Sequence, residues 1–332
     1  MNTKIEWTDT SWNPQTGCLP GLPCWERCYA RRMARRLAGR CGYPEAPDSF
    51  RPTFHPARLA GPLSWRKPRS CFIGSMGDIA LAEPEQIAAI LGVVAACPDS
   101  QFQVLSKRPG LLLEWFNWAE QHTTDGPLRW CWEEACRRGE YFTHRGYSGW
   151  PLLNLAIGVS VSTQADADER IPLLLRIPAA CRFVSQEPAL GVVNFGLVGT
   201  VPKYISPRYQ PVGDMIDGII LGGETGPGAR PMHPDWARST RDQCEAAGVA
   251  FFFKSWGEWA ENGYRDDCDP GERLQWGSLL RDGSFTKWPG DSMGRSTADI
   301  PDGESVMVRV GKKRAGRTLD GRIHEALPWR QS

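Results

Sequence analysis

Three cysteines near the start of the chain are the residues best suited to do chemistry. Cys18, Cys24 and Cys28 fall within eleven residues, on a loop that contains several glycines and prolines. Thiolates are soft anionic ligands of the kind that sulfide-bridged iron prefers. A 4Fe-4S cluster held by three protein thiolates keeps one iron open, and an open iron can bind a small molecule. The spacing therefore indicates an iron–sulfur site.

The cysteine spacing alone leaves three other interpretations open. A structural zinc site uses four ligands, usually as two pairs, and no second Cys/His pair of that kind is obvious in the sequence. Disulfide bonds are the second alternative, although the eleven cysteines of the chain are an odd number and leave one over. Unrelated buried thiols are the third.

Length and composition limit the class of protein. A chain of 332 residues with 41% hydrophobic residues can form one large domain, or one domain with an extension. The formal net charge of +1 gives no bulk attraction to nucleic acid or membrane, so any basic surface must be local. No apolar run is long enough to span a membrane, and no apolar signal region is found at the N-terminus. We therefore expect a cytoplasmic protein with reduced thiols.

Short apolar runs alternate with segments of helical spacing along most of the chain. Strands are predicted at residues 4–16, 70–76, 101–107, 154–162, 181–187, 216–223 and 250–254, and helices at residues 29–40, 83–96, 109–121, 164–176 and 233–247. Near-continuous apolar strands that alternate with helices predict an α/β fold with a parallel sheet buried on both faces. About seven such units suit a full or partial (β/α) barrel.

Two segments depart from this alternation. Residues 122–150 carry several aromatic side chains and are interpreted as an insertion, a lid or a substrate-facing element. Residues 260–332 are interpreted as a C-terminal extension that covers the barrel or contacts substrate. Within it, residues 262–302 are rich in Gly, Asp, Pro and Ser, a hairpin is predicted around Asp282 and Gly283, and a strand is predicted at residues 305–310. Cys131, Cys136 and Cys268 lie in these segments and are taken as structural.

Polar side chains follow nearly every predicted strand. In (β/α) barrels the active site forms at the carboxyl ends of the strands. Together these residues favour a ligand pocket, whereas each one taken alone is equally typical of an ordinary turn. They are Ser75, Asp78, Ser106, Lys107, Arg108, Ser160, Ser162, Gln186, Glu187, Glu224, Thr225, Lys254 and Trp256.

A glycine-rich loop at residues 222–228 is one of these strand ends. It lacks the Gly-Lys-Ser/Thr of a P-loop and the spacing of a dinucleotide-binding motif. Its glycines would let the backbone approach a ligand, and Glu224 could accept hydrogen bonds from ribose hydroxyls or an amine.

Arginines make one face of the first predicted helix basic. They are Arg31, Arg32, Arg35, Arg36 and Arg40, and a second basic cluster lies at residues 312–317. A solvated face is one interpretation of the helix, and a contact with phosphate groups is the other.

The chain resembles the radical S-adenosyl-L-methionine (SAM) superfamily, and more closely the family of three-Cys-motif proteins found in phages and bacteria. That family usually spaces its cysteines x6 then x2, whereas this chain has x5 then x3 across the same outer span. The matching segments are Trp12-Asn13-Pro14-x-Thr16-Gly17-Cys18, Cys28-Tyr29-Ala30, Gly74-Ser75-Met76-x-Asp78, Leu105-Ser106-Lys107-Arg108-Pro109, Gly158-Val159-Ser160-Val161, Ser185-Gln186-Glu187-Pro188, Gly222-Gly223-Glu224-Thr225-Gly226, Arg230-Pro231-Met232-His233-Pro234-x-Trp236, Phe252-Phe253-Lys254-x-Trp256-Gly257 and Ala315-Gly316-Arg317-x-Leu319-Asp320-Gly321.

The resemblance implies a partial (β/α)6 TIM barrel of the radical SAM kind over residues 1–259, with the insertion and the extension named above. It implies a 4Fe-4S cluster on Cys18, Cys24 and Cys28 whose open iron binds SAM. A reductant such as flavodoxin or ferredoxin would supply the electron that cleaves SAM to a 5′-deoxyadenosyl radical, which abstracts hydrogen from a substrate.

The resemblance also implies roles by position. Ser75 and Asp78 would lie near the methionine end of SAM. Ser106, Lys107, Ser160 and Glu187 would lie near its carboxylate or ribose, and Glu224 near the ribose or the substrate. Lys107 and Glu224 are the candidate catalytic residues. The phage setting suggests a nucleic-acid or nucleotide substrate. The leading hypothesis is a hypermodified thymine or other pyrimidine in DNA, on which the enzyme would act as an isomerase that moves an amino-acid adduct. A free nucleoside, a peptide, or a non-catalytic metal-stabilised nucleic-acid-binding module are the alternatives.

Overall fold

The computed structural model describes residues 3, 5–122, 133, 150–196, 215–261, 274–288 and 303–330. Within them the helices are α1 (Tyr29–Arg36), α2 (Pro84–Ala95), α3 (Pro109–His122), α4 (Gln164–Arg176), α5 (Pro234–Ala247) and α6 (Lys312–Ala315). The strands are β1 (Thr10–Trp12), β2 (Gln15–Thr16), β3 (Thr53–Phe54), β4 (Ser70–Ile73), β5 (Gln101–Ser106), β6 (Leu155–Val161), β7 (Cys181–Gln186), β8 (Gly218–Gly222), β9 (Ala250–Ser255), β10 (Trp259–Glu261), β11 (Gln275–Leu280), β12 (Phe285–Lys287) and β13 (Glu304–Arg309).

The main sheet has seven strands in the order β1-β4-β5-β6-β7-β8-β9. The pairs β1–β4, β4–β5, β5–β6, β7–β8 and β8–β9 are parallel. Every residue of β4, β6 and β8 is buried, as expected for apolar strands covered on both faces. The predicted α/β fold with a parallel sheet is confirmed.

The chain divides into two compact units. The first unit comprises Met1–Val159, Pro172–Arg182 and Pro202–Asp214, and the second comprises Ser160–Ile171, Phe183–Val201 and Met215–Ser332. The predicted boundary between residues 259 and 260 stays a prediction. The predicted insertion lies outside the described residues except at positions 122, 133 and 150, and Cys131, Cys136 and Cys268 lie outside them as well.

In the first unit, the predicted strand over residues 4–16 is two short strands, β1 and β2. Pro14 separates them, because proline has no N–H for a strand ladder and its φ is fixed. β2 then pairs antiparallel with β3, and the Pro14 carbonyl accepts a hydrogen bond from the backbone N–H of His55 at 2.7 Å. The chain thus turns away from the parallel sheet before it reaches the cysteine loop.

α1 is shorter than predicted. It begins directly after Cys28, buries Ala30 and Ala34, and gives way at Leu37, whose φ of −100° and ψ of 5° are no longer helical. Gly39 follows with a φ of +68°, a conformation that ends a helix at low cost only for glycine. The prediction over residues 29–40 missed this end.

In the second unit, residues 259–309 contribute an antiparallel sheet in the order β10-β13-β11-β12. β11 and β12 form a hairpin whose turn contains Gly283 at a φ of +92°, which confirms the predicted hairpin around Asp282 and Gly283. The predicted strand at residues 305–310 is β13. Across the described ranges, no helix has both the length and the apolar character that a bilayer crossing requires.

Candidate functional site

Gly17 fixes the start of the cysteine loop in the first unit. Its φ is +89°, and a Cβ atom there would lie 2.0 Å from the carbonyl oxygen of Arg51. Its N–H donates to the Met76 carbonyl at 2.9 Å, and its own carbonyl accepts from the N–H of Asp78 at 3.3 Å. Only glycine satisfies this close approach, so the residue before Cys18 is held against the turn that follows β4.

Cys18, Cys24 and Cys28 are half-buried, and none of them forms a disulfide. Cys18 and Cys28 both pack against one apolar cluster, made of Ala30, Ala34, Tyr43 and Phe50. As thiols on one loop they fit an iron–sulfur cluster or zinc by donor type. Among the described residues, no three His, Cys, Asp or Glu side chains stand close enough together to hold a metal ion.

Cys18 lies in a charged environment. Burial raises the pKa of its thiol and the Asp78 carboxylate raises it further, while Arg108 and the backbone of Leu19 partly offset this. Arg108 also donates from Nη2 to the carbonyl oxygens of Leu19 at 2.9 Å and Pro20 at 3.4 Å. The end of β5 is therefore tied to the cysteine loop by one guanidinium group.

Asp78 organises the ends of two strands. Its carboxylate is buried and accepts hydrogen bonds from Ser106 Oγ at 2.8 Å, the Lys107 N–H at 3.1 Å and the Ala80 N–H at 3.2 Å. Ser106 Oγ in turn accepts from the Arg108 N–H at 2.8 Å. These bonds use most of the acceptor capacity of a carboxylate, so Asp78 positions Ser106, Lys107 and Arg108.

Lys107 differs from its neighbours because its side chain contacts no charged or polar partner among the described residues. The backbone N–H is held by Asp78, and the residue is half-buried. In the part of the chain that the structure describes, its ammonium group forms no hydrogen bond or ion pair. It is therefore available to an anionic ligand.

Ser75 is held by Asn13, a residue that the sequence reasoning did not single out as part of the site. Asn13 Nδ2 donates to Ser75 Oγ at 3.1 Å, and the Met76 N–H donates to Asn13 Oδ1 at 2.9 Å. The hydroxyl of Tyr29, in the first turn of α1, donates to the Ser75 carbonyl. The place of Asn13 in the Trp12-Asn13-Pro14 motif was the available signal.

In the second unit, both predicted acidic site residues are paired with cations. Glu187 forms an ion pair with Lys254. Glu224 accepts two side-chain hydrogen bonds from Arg230, at 2.8 and 2.9 Å, and a third from its backbone N–H at 2.8 Å. Arg230 was quoted in the motif but was not predicted as a site residue. Glu224 can therefore take a ligand only together with, or in place of, this guanidinium.

The glycine-rich loop makes close contact with the chain's own backbone. A Cβ at Gly223 would lie 2.0 Å from the Trp256 carbonyl oxygen, and the Gly223 N–H donates to the Ser255 carbonyl at 2.9 Å. Glu258 Oε1 accepts from the Gly226 N–H at 2.9 Å. The glycine at position 223 thus serves strand packing, whereas the sequence suggested an approach to a ligand.

Ser160 lies inside β6 and is 1% exposed. Its carbonyl accepts a hydrogen bond from Arg170 Nη1 at 2.7 Å, and Arg170 pairs with Asp166. Ser160 therefore lies within the buried strand. Ser160 and Ser106 are the least exposed of the predicted cofactor contacts.

The second unit also has an open cleft of about 460 Å³, which could not be predicted from the sequence pattern. Its buried floor includes Trp236 and Trp259, whose indole N–H groups donate to the carbonyls of Arg281 and Ala229. Arg230, the partner of Glu224, is among its lining residues. This volume suits a small ligand.

The chain belongs to the DUF5131 family, described as proteins of unknown function, because the family matches residues 2–328. No curated protein and no solved structure matches the chain.

Proposed function

We propose that this DUF5131 protein is a radical SAM enzyme whose Cys18, Cys24 and Cys28 hold a 4Fe-4S cluster. The observation that carries the proposal is the trio of disulfide-free thiols on one loop at the head of a seven-stranded parallel sheet. The resemblance of motifs along the whole chain supports it, as does the α/β architecture, which we interpret as a partial (β/α)6 barrel. Gathering the three sulfurs around iron is part of this proposal.

When bound, the cluster and SAM would supply the electron and the sulfonium from which a hydrogen-abstracting 5′-deoxyadenosyl radical arises. The chain's own residues would position them. Gly17 fixes the first cysteine against the turn after β4, and Arg108 holds the loop carbonyls on its other side. Ser75 is oriented by Asn13, and Ser75, Ser106, Ser160 and Glu187 are the proposed SAM contacts, with Asp78 acting through the groups it positions.

Lys107 and Glu224 are the proposed residues on the substrate side. The ammonium of Lys107 has no partner within the described ranges and can neutralise a phosphate or carboxylate. Glu224 is pre-oriented by Arg230, so it can accept a hydrogen bond from a hydroxyl or amine without reorganising. A flavodoxin or ferredoxin is the proposed reductant.

The proposed substrate is a hypermodified pyrimidine in DNA, on which the enzyme would move an amino-acid adduct as an isomerase. Such a base must leave the duplex to reach a buried site. A free nucleoside or a peptide remains the alternative substrate. A metal-stabilised module that only binds nucleic acid is the second candidate function, and the exposed arginines of α1 favour it.

Anaerobic purification tests the proposal. Wild-type protein should be brown, contain about four irons, and release 5′-deoxyadenosine from SAM when reduced. The variant C18S/C24S/C28S should lose the colour, the iron and the product. C41S is the matched control, because Cys41 is an exposed thiol of the same unit outside the loop, and it should behave as wild type. A colourless wild-type protein with one zinc would instead support the binding module.

A further inference from the structure

The exposed face of α1 carries three arginines, with Tyr29 and Met33 also exposed at its edge. The helix buries Ala30 and Ala34, and at about 100° per residue the opposite side carries Arg32, Arg35 and Arg36. All three are exposed. Because the small side chains face inward, the guanidinium groups project to solvent from one continuous surface, which we call the α1 arginine face.

The α1 arginine face lacks a counter-charge in the part of the chain that the structure describes. α1 contains no acidic residue, and no carboxylate among the described residues pairs with Arg32, Arg35 or Arg36. The neighbouring Arg31 is different, since it pairs with Glu26 at 3.0 Å and stacks over Trp25. Uncompensated cations on one face are the arrangement that an anionic partner can use.

The surrounding segment strengthens this field. Residues 25–69 contain eleven Lys and Arg against three Asp and Glu, whereas the whole chain has a formal net charge of +1. The other exposed cations of this segment are Arg27, Arg40, Arg51, Arg66 and Lys67. The basic character of the protein is thus concentrated in the stretch that directly follows the cysteine loop.

We propose that the α1 arginine face binds the phosphate backbone of a nucleic-acid strand and so presents the strand beside the cysteine loop. Guanidinium groups match phosphate oxygens in a bidentate fashion. Tyr29, on the first turn of α1, is 57% exposed and offers an aromatic surface to an unstacked base. The reaction at the cysteine loop rests on the proposed radical SAM function. Phosphate binding by the α1 arginine face does not, since it needs no iron–sulfur cluster.

A membrane surface fits these observations less well. A helix that lies on a bilayer inserts its apolar face among the lipids. In α1 the apolar face of Ala30 and Ala34 is buried within the protein, Met33 is the one exposed aliphatic side chain, and the helix has only eight residues. The anionic partner is therefore one that binds without inserting an apolar helix face. A phosphodiester backbone meets this condition.

Fluorescence anisotropy of the full-length protein with labelled single-stranded and duplex DNA, over a series of KCl concentrations, tests the proposal. R32Q/R35Q/R36Q should bind roughly tenfold or more weakly at moderate salt, and the slope of log K against log salt should fall in magnitude by about two to three. R32K/R35K/R36K should keep the wild-type slope, because the charges remain. R176Q/K287Q/R322Q removes three exposed charges outside both basic clusters and should change the slope little.

Two results would overturn the proposal. One is an unchanged slope in R32Q/R35Q/R36Q, and the other is an equal loss in R176Q/K287Q/R322Q, which would indicate a bulk charge effect. Phosphatidylserine vesicles serve as the competing ligand, and a loss of vesicle binding with DNA binding intact would also reject it. Iron content and DNA-independent 5′-deoxyadenosine formation in the same variants report on the radical SAM proposal separately, because neither measurement involves the α1 arginine face.

Discussion

The cysteine-loop region of the first unit and the glycine-rich-loop region of the second unit treat charge differently. In the second unit, Glu187 is paired with Lys254 and Glu224 with Arg230. In the first unit, Asp78 accepts three hydrogen bonds, while Lys107 has no partner within the described ranges. Paired charges hold a loop in place, whereas an unpaired cation retains its interaction energy for a ligand. Charges near the glycine-rich loop therefore fix the local geometry of the second unit, whereas the cysteine-loop region of the first unit presents a cation that has no partner within the described ranges.

Replacing Gly17 should have the largest effect on stability. Gly17→Ala puts a methyl group into the Arg51 carbonyl at a φ that alanine tolerates poorly, so we expect a loss of about 3 kcal/mol or more in the free energy of unfolding. Gly21→Ala is the control, because Gly21 also has a positive φ but no atom within 4 Å of its Cβ position, and it should lose about 1 kcal/mol. Urea denaturation measures both, and equal losses would contradict the anchoring role.

His55 of the first unit and His233 of the second unit should contribute differently to the loss of stability in acid. Burial, assisted by Arg58, lowers the pKa of His55 to about 4, and burial also lowers the pKa of His233. A lowered histidine pKa means that the neutral form is favoured in the folded state. The resulting stability is complete above pH 6.5 and is lost as the pH falls through the folded pKa, by about 3 kcal/mol at most for His55.

Urea denaturation between pH 7 and pH 4 tests this difference. H55Q should remove most of the decline in stability toward pH 4, and H233Q should remove a smaller part. A decline that is identical in wild type and H55Q would show that other groups account for it.

The Glu187–Lys254 pair should show a measurable coupling, because both side chains are mostly buried. We expect E187Q and K254M each to destabilise the protein, and the double variant to lose about 1–2 kcal/mol less than the sum of the two. A coupling free energy near zero would mean that the ion pair does not stabilise the contact between Glu187 and Lys254.

Replacing Lys107 should have the smallest effect on stability. Lys107→Gln is expected to change the free energy of unfolding by less than about 0.5 kcal/mol, since its side chain has no partner in the described part of the chain. Under the proposed function it should still lower turnover strongly. Asp78→Asn makes the contrast, because it breaks bonds to Ser106 and Lys107 and should cost about 2 kcal/mol. A large stability loss in Lys107→Gln would remove the distinction between the two residues.

Much of the fold could be predicted because apolar runs report burial directly. The predicted strands over residues 70–76, 101–107 and 154–162 correspond to β4, β5 and β6 within a few residues. The errors came from backbone effects that hydrophobic patterns do not record: Pro14 divided the first strand, and Gly39 marks where the first helix has already ended.

The candidate site was only partly predictable. Strand-end positions pointed to Asp78, Ser106 and Lys107, because the order of parallel strands brings their carboxyl ends together. The three hydrogen bonds to the Asp78 carboxylate, and the lack of a partner for the Lys107 ammonium among the described residues, depend on the orientation of single side chains. The hydrogen bond from Asn13 to Ser75 depends on the turn that follows β4. The spacing of residues along the sequence determines neither this bond nor the side-chain orientations.

The contact between Gly17 and Gly77 has an evolutionary consequence. The two main chains meet so closely that a Cβ on Gly77 would lie 2.8 Å from the Gly17 carbonyl oxygen, and no side chain takes part. In a saturation library selected for folded protein, positions 17 and 77 should therefore accept nothing but glycine. The side chains between Cys18 and Cys24 should vary widely in the same library. The position of this stretch depends on the contact between Gly17 and Gly77, which lies outside it.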